Sequence, residues 1–176
     1  MRIIGGKYKR RTIRPPKNLP VRPTTDLAKE SLFNILTNKI DFQDKLALDL
    51  FSGTGSIAFE FASRECREVI AVDQNLQCTR FIKTAASDFG MNNLQSIRAD
   101  AFRFIQSSSK KFDLIFADPP YALNSIETIS LLVFENDLLR SDGWLIVEHP
   151  KEVDFSEQER FVEHRKYGKV NFSFFQ

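Results

Sequence analysis

The sequence predicts an α/β protein with a Rossmann-like, mostly parallel sheet, and two observations carry that prediction. Short apolar runs alternate with amphipathic segments of helical spacing between residues 46 and 148. This alternation is typical of βαβ units, whose strands lie parallel in one sheet. The last two extended segments, 161–166 and 170–175, are joined by a short link, so they are expected to pair as an antiparallel hairpin.

Composition limits the classes of protein to be considered. The chain has 176 residues, 42% of them hydrophobic, which suits one domain with an ordinary core. Two cysteines are too few for a disulfide framework or a zinc site, so no metal is expected. No apolar run approaches the ~18 residues of a membrane span, and no signal peptide is visible. We therefore expect a cytoplasmic protein without membrane contact, and we expect it to be a monomer.

Residues 1–23 differ from the rest of the chain in charge, since they include many basic side chains and no acidic one. Such runs are often solvated tails. Here Ile3, Ile4, Tyr8 and Ile13 are interleaved with the basic residues, which favours an ordered arm, a short β-hairpin, that binds phosphates. We therefore divide the chain into a basic extension, 1–23, and a main domain, 24–176. The basic residues of the extension are Arg2, Lys7, Lys9, Arg10, Arg11, Arg14, Lys17 and Arg22.

The main domain is predicted element by element. A first helix is capped by Thr24, Thr25 or Asp26 and ends near Asn38. The predicted strands are 46–51, 69–72, a weak strand around Ile97, 112–117 and 144–148, the last one entered through a turn at Asp142-Gly143. The other predicted helices are 56–62, one that ends at Gly90, a short one after Asp100, and one from Asn124 or Ser125 to about Leu139.

Acidic residues follow the predicted strands one after another. Because the carboxyl ends of parallel strands meet at one edge of a sheet, these carboxylates should lie together. Each alone could simply cap a helix, but a buried carboxylate is costly unless it is paired or hydrated, so the set indicates a polar binding cleft. The residues are Asp49, Asp73, Asp100, Asp118 and Glu148. His149 comes next in the chain, and we expect a local hydrogen bond for it.

A glycine loop, Gly53-Thr54-Gly55, follows the first strand, and Asp73 ends the second strand 18 residues later. Glycines there permit a tight turn beside a ligand, and the acid is placed to accept hydrogen bonds from ribose hydroxyls. The loop also fits a loose nicotinamide fingerprint, so a dehydrogenase has to be considered. However, Asp49 lies within the strand, which suits a ligand with an amino group and a positive centre better than a pyrophosphate.

The four residues Asp118-Pro119-Pro120-Tyr121 end the strand 112–117 abruptly, because neither proline can donate to a strand ladder. The four residues resemble the motif of methyltransferases that act on planar nitrogens, in which a carboxylate and a backbone carbonyl can accept both N–H bonds of the amino group. That would orient a nitrogen whose lone pair is otherwise delocalised, and Tyr121 could stack on its ring. Catalysis would then depend on in-line positioning and electrostatics rather than on a strong base.

These motifs resemble known families. The stretch 48–55 resembles the first motif of S-adenosylmethionine (SAM)-dependent methyltransferases, and residues 118–121 resemble the motif of enzymes that methylate planar nitrogens. Together with 3–8, 21–26 and 32–36, in this order, they are similar to the RsmD family of bacterial small-subunit (16S) rRNA guanine-N2 methyltransferases. A Gly often follows the Ser-Arg pair in that family, whereas this chain has Glu65.

The resemblance has implications for fold, activity and residues. It implies a class I SAM-dependent methyltransferase, with a seven-stranded sheet, helices on both faces, and 16S rRNA in an assembled or assembling small subunit as substrate. Catalytic roles would fall to Asp118, Pro119, Pro120 and Tyr121. RNA contacts would come from Lys7, Lys9, Arg10, Arg11, Arg14 and Arg22. The donor would be held by Asp49, Phe51, Ser52, Gly53, Thr54, Gly55, Asp73, Gln74, Asp100, Ala101 and Asp118.

Two other functions stay open at this point. The motif at 118–121 does not by itself choose the nitrogen, so methylation of adenine N6 or cytosine N4 in DNA, or of a protein glutamine, is an alternative. A non-catalytic RNA-binding module on the same fold is another. Binding of SAM would separate the module from the enzymes, and the identity of the methylated group would separate the enzymes from one another.

Overall fold

The computed structural model describes residues 1–16, 19, 26–123 and 125–176. In these ranges the chain forms five α-helices and seven β-strands. The helices are α1 Asp26–Lys39, α2 Ser56–Ser63, α3 Leu76–Phe89, α4 Ala101–Ser107 and α5 Thr128–Glu135. The strands are β1 Leu46–Leu50, β2 Glu68–Asp73, β3 Leu94–Arg98, β4 Phe112–Ala117, β5 Leu139–His149, β6 Phe161–Tyr167 and β7 Val170–Phe175.

The strands form one sheet in the order β3-β2-β1-β4-β5-β7-β6. The first five strands in this order are parallel, while β7 is antiparallel to both β5 and β6. The predicted parallel sheet with a C-terminal antiparallel hairpin is therefore confirmed. The chain reverses its direction across the sheet between β1 and β4, and ligands of open α/β sheets bind outside the strand ends at such a point.

Two hydrophobic layers enclose the sheet, one on each face. On one face α1, α2 and α3 pack on side chains such as Leu114 and Phe116, and Ile3 and Ile13 of the basic extension belong to the same layer. On the other face α4 and α5 pack on the alternate residues of β4, including Ile115. Helices on both faces follow directly from strands that are apolar along their whole length. No helix in the described ranges is long and apolar enough to cross a membrane.

The described part of the basic extension folds back on itself. Residue Arg2 forms an antiparallel bridge with Thr12, and Ile3 and Ile13 each donate a backbone hydrogen bond across this pairing. The division of the chain at residue 23 stays a prediction, because residues 17, 18 and 20–25 lie outside the described ranges. The same holds for the predicted caps Thr24 and Thr25.

A buried ionic cluster fastens this extension to the helices. Glu60 on α2 is fully buried and accepts hydrogen bonds from the Ile4 amide at 2.7 Å and from Arg64. Lys29 on α1 lies 3.2 Å from the Glu60 carboxylate and donates to the Arg2 carbonyl at 2.6 Å. Because each charge has a partner, burial is tolerated. Nothing in the periodicity of α1 predicted that Lys29 would be buried.

The predicted end of α5 near Leu139 is wrong, since the helix stops at Glu135. Asp137 adopts a left-handed conformation with φ 53°, and the Leu138 amide bonds back to the Val133 carbonyl at 3.1 Å. This is the geometry that glycine usually supplies after a helix, and an aspartate in its place gave no visible stop signal. At the other end, α5 begins at Thr128 rather than Ser125, and Asn124 lies outside the described residues.

The predicted turn at Asp142-Gly143 is also wrong, because both residues lie inside β5. Leu139 pairs with Phe112 and Trp144 pairs with Leu114, so the segment between them bulges out of the ladder. A Cβ on Gly143 would lie 2.9 Å from the Leu139 side chain, so the glycine allows the bulge to close over a buried leucine.

Candidate active site

A cleft of about 1610 Å³ opens at the carboxyl edge of the parallel strands. All five acids that were predicted to share this edge line it. So do the predicted catalytic residues Asp118 to Tyr121 and the other predicted donor-binding residues, with the exception of Gly55. The structure therefore brings the two motifs of the sequence together in one cavity.

The glycine loop forms the floor of the cleft between β1 and α2. Phe51, Gly53 and Gly55 all have positive φ, at 58°, 52° and 75°. Gly55 does not line the cleft but shapes the loop, since a Cβ there would lie 2.8 Å from the Ile82 side chain. The Gly53 amide donates to the Asp73 carboxylate at 2.8 Å, so the acid that ends β2 also holds the loop in place.

Polar groups deep in the cleft are only partly satisfied. Asp49 is 2% exposed and accepts a hydrogen bond from the Ala58 amide at 3.0 Å. Burial raises the pKa of its carboxyl well above the usual range, and the Ala58 hydrogen bond opposes that effect. Among the described residues the buried hydroxyls of Ser52 and Ser56 have no hydrogen-bond partner. Buried polar atoms normally have partners, so these two hydroxyls point to a ligand.

The other end of the cleft is lined by two aromatic rings and two acids. The rings of Phe51 and Phe102 meet edge to face with their centroids 6.0 Å apart. Asp73 lies at the end of β2, and Asp100 caps α4 by accepting the Arg103 amide at 3.0 Å. An apolar aromatic surface beside carboxylates fits a planar heterocycle that carries a sugar.

The motif Asp118 to Tyr121 stands beside the glycine loop because β4 and β1 are neighbours. The Asp118 amide donates to the Leu50 carbonyl at 3.3 Å, which ties the start of the motif to the end of β1. Leu123 bonds back to the Pro120 carbonyl at 2.8 Å, so the turn after the prolines is closed. Tyr121 remains 48% exposed at the mouth, and its hydroxyl donates to Glu148 at 3.1 Å.

Asp118 and Glu148 form a pair of neighbouring carboxyls. Ala117 pairs with Val147 across β4 and β5, so the two acids follow at adjacent strand ends. Burial raises the pKa of Asp118 to about 7. Burial, and then the charge of Asp118, raise the pKa of Glu148 to about 8, against the opposing hydrogen bond from Tyr121. Two carboxyl groups that lie side by side are hard to ionise at the same time, because their negative charges repel each other.

The predicted RNA-binding residues of the extension are not part of this cleft. Tyr8 reaches the Gly90 carbonyl at 3.2 Å, and the Lys7 amide donates to the Ser63 carbonyl at 2.7 Å. Both partners lie at the carboxyl ends of helices, whereas Asn75, at the start of α3, lines the cleft. The helix α3 has 14 residues and spans about 21 Å. Residues 7 and 8, which form the tip of the extension, therefore lie roughly that far from the cleft. Of the predicted residues, Arg22 lies outside the described ranges.

A second, smaller groove of about 370 Å³ continues from the mouth of the cleft past Tyr121. Three lysines line it, Lys151, Lys166 and Lys169, with a single carboxylate, Glu152, among them. Tyr121, Gly168 and Lys169 line both cavities. A cationic groove next to an acidic cleft suits a polyanion that presents one group to the cleft.

Sequence reasoning missed several residues of this site. Phe102 follows the predicted pair Asp100-Ala101 directly, and its place opposite Phe51 could have been suspected from that. The hairpin turn 167–170 and Leu27 reach the cleft from distant parts of the chain, and no local signal marks them. His149 is buried outside the cleft, where Ser173 and the Pro150 carbonyl satisfy its ring, so the expected local role is confirmed.

Comparison with known proteins assigns the chain to a family. The family model described as "Conserved hypothetical protein 95" matches residues 1–176, the whole of the chain. The chain belongs to this family. It is 33% identical over 161 residues, 89% of the chain and 86% of the relative, to YlbH of Bacillus subtilis, which is named provisionally as an rRNA methyltransferase. It is 28% identical over 182 residues to "Ribosomal RNA small subunit methyltransferase D" of Haemophilus influenzae, which covers 100% of the chain and 93% of the relative.

Several solved structures have the same fold as this chain. The Escherichia coli protein yhhF superposes with a TM-score of 0.87 at 24% identity, covering 100% of this chain and 97% of the other. SMU.776, whose structure contains SAH, superposes with a TM-score of 0.67 at 17% identity, covering 86% of this chain and 50% of the other. The sheet order and its antiparallel last strands are those of class I SAM-dependent methyltransferases, as predicted.

Proposed function

We propose that this protein transfers the methyl group of SAM to the exocyclic N2 of a guanine in small-subunit (16S) rRNA. The observation that carries the proposal is the single cleft in which the glycine loop after β1 meets Asp118 to Tyr121 after β4. A methyl donor and an amino acceptor bound in that cleft would lie side by side. The family, its relatives named for rRNA methylation, and the RsmD-like motifs support RNA and guanine over other planar nitrogens.

The residues on the donor side fit SAM by their chemistry. The apolar surface formed by Phe51 and Phe102 suits the adenine, with Asp73 placed for the ribose hydroxyls. Asp49 and the unpartnered hydroxyls of Ser52 and Ser56 offer polar contacts to the amino-acid end of the donor. Bound SAM supplies an electrophilic methyl group on a sulfonium centre. We assign the remaining donor contacts to Gly53, Thr54, Gly55, Gln74, Asp100, Ala101 and Asp118.

On the acceptor side the motif orients the amino group. The Asp118 carboxylate and the Pro119 carbonyl accept the two N–H bonds of N2, which turns its lone pair toward the methyl carbon. Transfer to the nitrogen would break the carbon–sulfur bond of the donor, and Asp118 or water would take one of the two N–H protons. The closed turn after Pro120 fixes this geometry before the substrate arrives, which is the main contribution to rate.

The mouth of the cleft suits a base that has left its stack. Tyr121 is half-exposed there, with its hydroxyl held by Glu148, so its ring is presented to an incoming base. An aromatic platform of this kind stabilises an extruded nucleotide, and the adjoining lysine groove can hold its neighbouring phosphates. Small-subunit rRNA as substrate would place the enzyme in the cytoplasm.

Asp118→Ala tests this mechanism. The variant should lose methyl transfer to unmodified small subunits by at least about 100-fold, since an oriented acceptor is worth that much or more. Binding of SAM, measured by calorimetry, should be weakened but persist, because Asp118 is only one of the donor contacts. A matched control is Asp137→Ala, which removes an exposed carboxylate paired with Lys111 and should leave transfer unchanged.

Two outcomes would contradict the proposal. Transfer that survives the loss of Asp118 would show that the carboxylate does not hold the acceptor. Wild-type protein that binds small-subunit RNA but not SAM would instead be a non-catalytic RNA-binding module.

A further inference from the structure

Glu148 is a carboxylate of the cleft that holds the Tyr121 hydroxyl with one oxygen, while the proposed function gives its other oxygen no task. Its side chain is 5% exposed, yet it lines the cavity. One oxygen, Oε1, accepts the Tyr121 hydroxyl at 3.1 Å. The other, Oε2, is buried and has no hydrogen-bond partner among the described residues. A buried carboxylate oxygen left in this state is costly, so a partner from outside the chain is the simplest explanation.

The position of Glu148 defines where that partner would lie. Ala117 and Val147 are register partners in the parallel pair β4–β5, so Asp118 and Glu148 extend from adjacent strand ends. Neighbouring strands are separated by about 4.8 Å. The two carboxylates thus stand side by side at the cleft, where both can face one edge of a planar ring. The Tyr121 hydroxyl holds the Glu148 carboxylate in place from the other side.

Only one of the common bases presents adjacent donors of that kind with an amino group. In guanine the N2 amino group stands next to N1–H, which is also a donor. In adenine the N6 amino group stands next to N1, and in cytosine the N4 amino group stands next to N3, and both ring nitrogens carry a lone pair. A carboxylate opposite such a lone pair is repelled and leaves its own oxygen unsatisfied.

We propose that Glu148 accepts the N1–H of the guanine whose N2 is held at Asp118, and thereby makes the site selective for guanine. This rests on the proposed function and deepens it, because the motif at 118–121 alone serves any planar amino nitrogen. Burial and the charge of Asp118 raise the pKa of Glu148 to about 8, and a hydrogen bond from N1–H to the ionised carboxylate would lower that pKa, so the contact favours the ionised form.

A base analogue tests the inference directly. In 2,6-diaminopurine the amino group at position 2 is kept, but N1 is an acceptor. Small-subunit rRNA carrying either guanine or 2,6-diaminopurine at the methylated position is compared in reconstituted subunits. Wild-type protein should prefer guanine by roughly 10- to 100-fold in kcat/KM, the size of one good base contact.

Glu148→Gln provides the second measurement. The amide keeps the size of the side chain, and its N–H can donate to N1 of the analogue. The preference should therefore fall to within about threefold, while SAM affinity and thermal stability confirm an intact fold. Glu135→Gln, an exposed acid at the end of α5, is the matched control and should keep the full preference.

The outcomes separate this inference from the proposed function. If the wild-type protein methylates guanine N2 but uses the analogue equally well, the proposed role of Glu148 is wrong while the proposed function stands. This comparison does not depend on any variant being folded. Full preference in a folded Glu148→Gln protein would do the same. Absence of any methylation of guanine by the wild type would overturn the proposed function, and the role of Glu148 with it.

Discussion

At the scale of single residues, burial decides how the carboxylates of the cleft behave. Asp118 and Glu148 lie side by side at the edge of the sheet, and the pKa of each is raised to the neutral range. A native pKa above the unfolded value means that the native state holds its proton more tightly than the unfolded chain. The resulting destabilisation is absent below about pH 4, where both states are protonated, and it is complete above about pH 8.

Asp118→Asn should therefore stabilise the protein at pH 8 and have little effect at pH 4.5. The asparagine keeps the shape of the side chain and removes one of the two competing charges. The pKa of Asp118 is raised from 3.8 to about 7, and each tenfold change in proton affinity is worth about 1.4 kcal/mol, so the expected gain at pH 8 is a few kcal/mol, or roughly 10 °C in Tm for a chain of this size. Thermal unfolding without added SAM at the two pH values checks it. An equal gain at both pH values would show that the charge is not the cause.

The sequence predicted the residues of the site better than their contacts. The acids, the glycine loop and the motif at 118–121 were recognisable because each follows a strand at a fixed offset. The role of Glu148 could not be recognised from the sequence, because its unpartnered oxygen and its hydrogen bond to Tyr121 depend on strand register and burial. Likewise Phe102 and the turn 167–170 enter the cleft through packing between distant segments.

At the scale of elements, backbone conformation decided where prediction succeeded. The end of α3 at Gly90 is confirmed, with φ 66°, because a glycine marks it. The ends at Glu65 and Asp137 have the same left-handed conformation, with φ 65° and 53°, but no glycine. The RsmD-like pattern often has glycine at the position of Glu65. A glycine there would have indicated the left-handed conformation, which a glutamate does not indicate.

Gly6 shows how one element can depend on a single glycine. Its φ is 71°, and a Cβ there would lie 1.9 Å from the Ser63 carbonyl oxygen, where the extension packs on the end of α2. Gly6→Ala should destabilise the protein by about 2–4 kcal/mol, combining a left-handed alanine with a backbone clash. Denaturant unfolding measures this.

Gly90→Ala is the matched control for that variant. Gly90 has a similar φ of 66°, but a Cβ there would meet nothing within 4 Å. The control should cost only about 1 kcal/mol. Equal losses in the two variants would mean that the close packing of the extension on α2 contributes nothing.

At the scale of the whole molecule, the structure separates two basic surfaces. The tip of the extension lies at the carboxyl ends of α2 and α3, while the lysine groove adjoins the mouth of the cleft. The charge of the extension was evident from the sequence. The groove was not, because its lysines come from the segment after β5 and from the β6–β7 hairpin. An RNA that reaches both surfaces must span the distance from the carboxyl ends of α2 and α3 to the mouth of the cleft.

Salt dependence of RNA binding can measure both surfaces. Each phosphate contact that is lost flattens the slope of log K against log salt by about 0.7–0.9. Replacing Lys9, Arg10 and Arg11 with alanine should therefore flatten it by up to about 2–3, and replacing Lys166 and Lys169 by up to about 1.5–2.

A double variant of Lys110 and Lys111 is the control for these measurements. The two lysines precede β4 at the opposite edge of the sheet and pair with Glu68 and Asp137. Their replacement should leave the slope unchanged. If the slope also stays unchanged in the extension variant, the extension does not contact phosphates.

The central claim, that this fold methylates guanine N2 in small-subunit rRNA, is tested most directly by identifying the product. Purified protein is incubated with SAM and unmodified small subunits, and the rRNA is digested to nucleosides and analysed by mass spectrometry. We expect N2-methylguanosine at a single position, and none with the Asp118→Ala variant. Methyl groups found only on adenine N6 or cytosine N4, or no methylated nucleoside at all, would contradict it.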